Sequence, residues 1–555
     1  MSDTSSPETG ERTKRIIGIL IAVVTLITTV IAFVQSDAGA RDDQANRDSK
    51  RYSTEALGRK VSGDARVNYD FGAAYQSWYE LDLLASAAEG RGDAELAASY
   101  STARDELVRH SPLLAPPYFD PETGVADVAR YEADTYLVEI TALTERFNAA
   151  SAVKDAWDFK ANTYIVHLTL LAVSLFLLGL AATISSRLPQ LVFSVAGVGI
   201  TTVVVVWATS IYLQPVYDLR AQGGAIDAYA RGVGLAHQER WQEALAAYDE
   251  ALAAAPGYAT ALTQRAEAKA ALGDLQAAAL DYEQARAAGE GRAFVAGNLA
   301  WIYYLLGRHD DAVAMNRVAL ETSPDELWIQ FDMGLALLAS GQNDAAAEAY
   351  RAGMDRAAAK VAEAKAAGNE PPSDLWWSLD DAAASLDDLI AVMDTDGETQ
   401  PPRDKIADPA TIRPVAEELI TNLKSLSVSL EYRGTPPQGT PEGSVGAITF
   451  ATVDEQGDAA EQAESFPAGT SEVGALFDYD GLRDGQDVLF KVYLNGEEDP
   501  SWRLIQTWDL GASGTAQKLL SPGYTDTFVF EPGFYEVEIY VDGHLAQRGA
   551  FAVEE

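Results

Sequence analysis

The chain has 555 residues, and at roughly 100–200 residues per domain that implies three to five units. It carries 83 acidic against 41 basic side chains, a formal charge of −42, which excludes a general nucleic-acid binder because phosphates would be repelled. Cysteine is absent, so disulfides, thiolate metal sites and cysteine nucleophiles are excluded together.

Residues 16–34 hold no charge and follow the basic cluster Arg12, Lys14 and Arg15. Two further apolar runs cover 161–184 and 191–213, and each run can cross a ~30 Å hydrocarbon core as a helix. Four valines in a row, Val203 to Val206, suit lipid better than one face of a soluble helix. Only residues 185–190 separate the last two runs, so a tight helical hairpin is expected, with Gly197 and Thr201 as its small packing surface.

The basic cluster and Arg187 place their ends of the helices in the cytoplasm, although Arg41, Lys154, Lys160 and Arg220 on the other side keep the bias mild. Ala38, Gly39 and Ala40 resemble a signal-peptidase site, but the apolar run is long for a signal peptide and favours an uncleaved anchor. Either way, everything after Arg41 is exported. The expected organisation is a cytoplasmic tail (1–15), a signal anchor (16–35), an exported helical domain (36–160) and membrane helices at 161–184 and 191–213. The bulk of the chain then lies outside a bacterial cytoplasmic membrane.

Within 36–160, Tyr69, Phe71, Tyr75, Trp78, Tyr79 and Leu83 recur at helical spacing, as do Tyr131, Tyr136, Leu137, Ile140, Leu143 and Phe147. Prolines at 112, 116, 117 and 121 mark a loop between two groups of long helices. The aromatics read as helix–helix packing rather than a cofactor site.

From about residue 225 a 34-residue period appears. Ala244, Ala278, Ala312 and Ala346 keep it, as do Tyr248, Tyr282, Asn316 and Tyr350, then Ala251, Ala285, Ala319 and Gly353, and upstream Gly232, Ala266, Ala300 and Gly334. Turns fall at Glu239, Gly273, Gly307 and Gly341. Small residues let two antiparallel helices approach while the aromatic fills the space beside them. Residues 225–360 thus resemble the tetratricopeptide repeat family in four units, with Glu239 for glycine, Glu290 for proline and Asn316 for the aromatic as departures.

That resemblance implies a concave face lined by the first helix of each unit. It would present Ile226, Tyr229 and Val233, then Thr260, Thr263 and Glu267, then Phe294, Trp301 and Tyr304, and finally Trp328, Phe331 and Leu335, with Asn298 placed to hold a peptide backbone. The partner-binding groove expected is Tyr229, Phe294, Asn298, Trp301, Tyr304, Trp328 and Phe331, for an apolar segment of a partner protein. The basic clamp of chaperone-binding members has no counterpart, only Gln264 and Asp332 nearby. The alternative occupant is the chain itself, through residues 374–377 or 382–393.

Residues 361–433 read as flanking helices and linker. Leu426, Val428, Leu430 and Tyr432 alternate with polar neighbours, which suits a strand, with a helix as the alternative. Beyond the linker at 434–443 the period becomes two, with strands expected at 445–453, 473–477, 488–494, 504–508, 525–530, 535–541 and 545–553. Asn495-Gly496 and Asp542-Gly543 signal hairpins. An antiparallel β-sandwich over 445–555 follows, broadly similar to bacterial immunoglobulin-like modules. This domain has 21 acidic and 5 basic side chains. Asp478, Asp480, Asp484 and Asp487 are candidate calcium ligands, although Arg483 stands where an EF-hand needs glycine.

The five histidines lie in five segments, and no zinc-protease helix, phosphate loop or nucleophile elbow occurs. The fold class expected is a multidomain α+β membrane protein with three transmembrane helices, an α-solenoid and a C-terminal sandwich. Its expected function is that of a non-enzymatic scaffold without cofactor, metal or nucleic acid, binding a protein or peptide in the repeat groove and sitting in a lipid bilayer. The alternatives are an accessory subunit of a larger membrane complex, or an adhesin or sugar-binding protein acting through the sandwich.

Overall fold

A computed structural model describes every residue except 1–6, 219, 221–223, 440–441, 455, 500–501, 503, 523–528 and 555. The chain divides into two units, Met1–Glu290 and Gly291–Glu555.

In the first unit, α1 (Pro7–Tyr69) is helical from the first described residue onward. One wider turn, Asp70–Tyr75, carries it into α2 (Gln76–Gly90), so the helix of the first apolar run continues far beyond it. At ~1.5 Å per residue α1 alone is on the order of 95 Å long, about three hydrocarbon thicknesses. The Asp93 carboxylate caps α3 (Ala94–Leu107) by accepting from the Leu96 N–H at 3.2 Å. The proline-rich loop holds a 3-10 turn at Pro112–Leu114 and a small hairpin, β1 (Phe119–Asp120) with β2 (Val125–Ala126). Asp127 then caps α4 (Val128–Glu132), and a wide turn, Ala133–Leu137, leads into α5 (Val138–Thr183).

Helices α1 and α5 run antiparallel. Arg59 pairs with Glu139 at 3.0 Å, Ser49 with Ser151 at 2.8 Å, and the Arg41 guanidinium lies over Trp157. The seam on α1 is Ile17, Val24, Ile31, Ala38 and Ala45, all buried and seven apart, and Tyr164, Leu171 and Leu178 repeat the spacing on α5. A sustained seven-residue repeat is the pattern of a coiled coil. Helix α6 (Arg187–Leu213) closes on α5 where Ser174 Oγ meets the Gly197 carbonyl and Thr201 Oγ1, each at 2.7 Å.

Two helix pairs follow, α7 (Ala225–Ala236) with α8 (Trp241–Ala254) and α9 (Ala259–Ala271) with α10 (Leu275–Ala287). The second unit begins with two more, α11 (Ala293–Leu305) with α12 (His309–Thr322) and α13 (Leu327–Ala339) with α14 (Asn343–Ala366). Corresponding helices start 34 residues apart throughout, the period read from the sequence. The turn residues Glu239, Gly273, Gly307 and Gly341 all adopt positive φ, at 57°, 83°, 71° and 82°. This backbone suits glycine and strains glutamate.

Helices α15 (Ser373–Asp394) and α16 (Pro409–Tyr432) pack as a pair, α15 against α13 and α16 against α14. Residues 426–432 are therefore helical, which corrects the strand reading. Alternation misled because Ser425, Ser427 and Ser429 are buried as fully as Leu426, Val428 and Leu430. Enclosed on several sides, residues 425–430 of α16 have no polar face to reveal their period.

The remaining strands are β3 (Ser444–Val445), β4 (Thr449–Val453), β5 (Ala459–Gln462), β6 (Ser465–Phe466), β7 (Val473–Asp480), β8 (Asp487–Leu494), β9 (Glu497–Glu498), β10 (Leu504–Thr507), β11 (Ser513–Leu520), β12 (Gly533–Val541) and β13 (His544–Val553). One sheet has the order β10-β8-β12-β13-β6 with β9 beside β8, the other β11-β7-β4-β5 with β3 beside β7. Phe450, Phe477 and Ala516 from one sheet share a core with Phe490, Val537 and Phe551 from the other, as in a sandwich. The expected strand at 525–530 falls mostly outside the described residues. One pairing, β6 with β13, is parallel, which corrects the wholly antiparallel expectation. The two-residue β6 sits at the crossover from the second sheet and enters along β13. At both predicted hairpins the backbone is left-handed, with φ 52° and 87° at Asn495 and Gly496 and 50° and 83° at Asp542 and Gly543.

Candidate functional site

The first helices of the repeats carry the expected groove residues, and the structure divides them. In the first unit α7 is docked on α5. Ile226 and Ala230 pack with Ala142 and Ala149, and a Cβ on Gly234 would fall 2.5 Å from Val138 Cγ2. Polar contacts frame this patch: Arg146 to Asp227 at 2.6 Å, His237 Nε2 to Glu132 at 2.7 Å, and the Tyr258 hydroxyl donating to Glu145 at 2.8 Å. Tyr229 is buried against the rings of Tyr248 and Tyr258. On α9, Thr263 turns its hydroxyl back to the Ala259 carbonyl and Glu267 accepts from Gln264.

In the second unit, Phe294, Asn298 and Trp301 share one face of α11. Phe294 is 36% exposed with the Arg292 guanidinium over its ring, while Asn298 and Trp301 are half-buried. Trp301 stacks on Tyr304 with centroids 5.2 Å apart, and Tyr304, 4% exposed, continues the contact to His309. Trp328 lies on Gly297, where a Cβ would come within 2.3 Å of its Cη2. Phe331, 2% exposed, stacks on Tyr350 and against Gly353 inside the fourth pair. Of the seven groove candidates, Phe294, Asn298 and Trp301 offer surface together, whereas Tyr229, Tyr304 and Phe331 are covered by the chain itself.

Part of that cover on α13 is α15, whose Leu375, Leu379, Ala382, Leu386, Leu389 and Met393 are buried. Alongside these apolar contacts sit three carboxylates. Asp332, the one charge in α13, faces Asp381 on α15, and Asp388 follows seven residues further along α15. Burial first, and the neighbouring Asp381 second, push the Asp332 carboxyl up to about 8. Burial followed by Asp388 raises Asp381, and burial followed by Asp387 raises Asp388. The sequence reading placed Asp332 beside the groove but passed over Asp381 and Asp388, because only the packing of α15 on α13 brings Asp381 near it. The available signal was a lone aspartate in the helix Leu327–Ala339, otherwise without charge.

A second polar cluster joins α15 and α16 to the β8–β12 face around a cavity of about 330 Å³. Lys424 bonds to Glu538 and, at 3.3 Å, to Glu536, and the hydroxyls of Tyr493 and Tyr540 donate to Glu538 at 3.0 and 2.5 Å. Burial works against the Glu538 charge, but Lys424 and the two hydroxyls outweigh it and hold the carboxyl below its usual range. Lys491 reaches Glu498 at 3.1 Å, and Arg548 forks onto Asp387 at 2.6 and 2.8 Å. With Lys424, Lys491 and Arg548 each held by carboxylates, this is a polar interface between layers.

The candidate calcium ligands do not converge. Asp478 accepts from Thr515 at 2.6 Å, Asp484 from the Gly511 N–H at 2.9 Å, and Asp487 pairs with Arg433 at 2.9 Å, while Asp480 stands in register with Ser444 and Ser513. Among the described residues no three acidic or histidine side chains gather in a metal-binding arrangement.

No family model matches the chain, and no curated protein matches it. Solved structures do show likeness. The tetratricopeptide protein YrrB, described with an unusual peptide-binding site, is 21% identical over 29% of this chain and 86% of its own, with a TM-score of 0.23. An immunoglobulin-like protein from Pseudomonas aeruginosa is 15% identical over 21% of this chain and all of its own, with a TM-score of 0.18. The Pseudomonas fluorescens alkylpurine DNA glycosylase AlkC, solved on DNA with an abasic-site analogue, is 12% identical over 73% of this chain and 92% of its own, with a TM-score of 0.20. Scores of this size carry no functional argument. The repeated helix pairs and the C-terminal β-rich region stand on the geometry above.

Proposed function

We propose that the protein is a membrane-anchored, non-enzymatic scaffold that holds partner proteins outside a bacterial cytoplasmic membrane through its helical repeats. The observation that carries this reading is the docking of α7 on α5, through Ile226 against Ala142 and Ala149. Helix α5 is also the helix that becomes the second apolar span, so anchor and first repeat share one rigid element. The three spans supply the anchor. Leu26, Phe33, Phe176 and Val206 are each about two-thirds exposed or more, an apolar surface that water would not tolerate over such length. The recognition surface is the α11 face, where Phe294 and Trp301 are aromatic anchors and Asn298 meets a peptide backbone.

Flotation of membranes on a density gradient, protease treatment of intact cells and partner co-purification test the reading together. The protein should float with the membranes, and protease added outside should remove the repeats and sandwich. Replacing Phe294 and Trp301 with alanine should release the partner without altering flotation. Retention of the partner by that double variant removes the α11 face from the account.

A further inference from the structure

The three apolar helices leave a groove between them. Leu26 and Val30 on α1, with Val205 and Tyr212 on α6, are exposed and line a cavity of about 480 Å³, and Tyr164 of α5 and Ala208 are its buried lining. These residues lie in the half of the spans remote from Arg15 and Arg187. The volume is that of a site for a small molecule. A partner helix seats on small residues, whereas this lining is mostly leucine, valine and tyrosine. Two polar observations are independent of the cavity. Tyr164 is 2% exposed and its hydroxyl meets no donor or acceptor among the described residues, a costly state within hydrocarbon. Lys160, one turn nearer the end of the span and 4% exposed, donates to the Gln214 carbonyl and lies 5.2 Å from the centre of the Trp157 ring. Its ammonium forms no ion pair with any described residue, whereas Arg41, on the same ring, is held by Asp37 at 2.9 Å.

We propose that this groove binds an anionic phospholipid of the outer leaflet. One acyl chain lies between α1 and α6, an ester carbonyl accepts from the Tyr164 hydroxyl, and the phosphate meets the Lys160 ammonium. The order along α5 is the order of groups in such a lipid, with phosphate outermost, ester next and chain within. Lys160 and Tyr164 are four residues apart, about 6 Å of helical rise, so both fall on one face. The lone ammonium selects an anionic headgroup, because it is the cation at the mouth that no carboxylate of the described chain neutralises. The inference rests on the membrane reading above and adds the lipid that its spans select.

The test mixes full-length protein in dodecyl maltoside with equimolar dioleoyl phosphatidylglycerol and dioleoyl phosphatidylcholine, and native mass spectrometry counts the lipid retained. One phosphatidylglycerol should be kept in preference. Lys160→Gln should cut that preference by about fivefold, and Lys160→Arg should keep it. Lys60→Gln, an equal change of charge on α1 beyond its apolar run, should alter it less than about twofold. Val30→Trp, which fills the groove, should lower retention of both lipids, and melting curves confirm that each variant is folded. Equal retention of the two lipids by the wild type overturns the proposal, as does equal loss of preference in Lys160→Gln and Lys60→Gln. Undiminished retention by Val30→Trp overturns it too, as does displacement of the lipid by millimolar glycerol phosphate, which has no chain. A dimer mass without lipid gives the groove to a second copy and likewise overturns it. Flotation is read in parallel: a protein that floats without headgroup preference loses the lipid site alone, and one that does not float loses the membrane reading itself.

Discussion

Gly232 and Tyr248 are so close that a Cβ on the glycine would fall 2.4 Å from the tyrosine Cε1. Gly334 and Tyr350 repeat the relationship at 2.7 Å, one pair at each end of the array. Gly232→Ala should therefore destabilise the first pair by about 2–3 kcal/mol, the cost of overpacking a filled interior. Amide hydrogen exchange over residues 225–254 reads this locally. Protection unchanged from wild type would show that Tyr248 can move aside.

Gly273 offers a contrast, since nothing lies within 4 Å of a Cβ there and only its φ of 83° resists a side chain. The corresponding Glu239 already occupies that conformation at φ 57°. Glu239→Gly should stabilise the first pair by about 1 kcal/mol, and Gly273→Ala should cost a similar amount in the second. Urea unfolding gives both signs, and a destabilised Glu239→Gly would mean the glutamate contributes more than its backbone costs.

The repeats were legible because each must solve the same packing problem, so a small residue at Gly232 and an aromatic at Tyr248 recur on schedule. The sandwich was legible where strands alternate, as in β12, and missed in β11, where Ser513 to Gln517 have one buried residue, Ala516, to betray a face. The docking of Ile226 on Ala142 was invisible for another reason. The partners are far apart in sequence, and alanine at a helix interface looks like alanine anywhere. The groove residues were legible in part: family register placed Tyr304 and Phe331 on a first helix, and residues 374–377 and 382–393 were the alternative occupant, but nothing in the sequence decided between a partner and the packing of α15 on α13.

Stability should depend on pH through Asp332. Its carboxyl is raised to about 8 in the fold, beside Asp381 from α15, Tyr304 from α11 and Tyr350 from α14. A raised carboxyl binds its proton more tightly when folded. Its contribution is thus complete below the ordinary aspartate range and is lost as pH climbs through about 8. Between pH 6 and 9 the melting temperature of the wild type should fall by about 5 °C, and that of Asp332→Asn by clearly less. Parallel curves for the two proteins would place the carboxyl in an ordinary environment.

The Lys424–Glu538 pair joins α16 to β12 with Glu538 wholly buried. Removing one partner leaves an uncompensated ion, so Lys424→Met should destabilise the second unit by about 3–5 kcal/mol. Adding Glu538→Leu to it should recover much of the loss. A double-mutant cycle in urea supplies the coupling, and additive losses would mean the two charges act independently.

The central claim is that the apolar helices hold the repeats and sandwich on the outer side of a bilayer. Because the natural chain contains no cysteine, single cysteines report sidedness without background. Thr13→Cys, before the first span, and Glu554→Cys, near the chain end, can each be exposed to a membrane-impermeant maleimide on intact cells stripped of any outer barrier. Labelling of Glu554→Cys in intact cells, with Thr13→Cys reacting only after the membrane is opened, is the predicted result. The opposite pattern, or equal labelling of both before the membrane is opened, would contradict it.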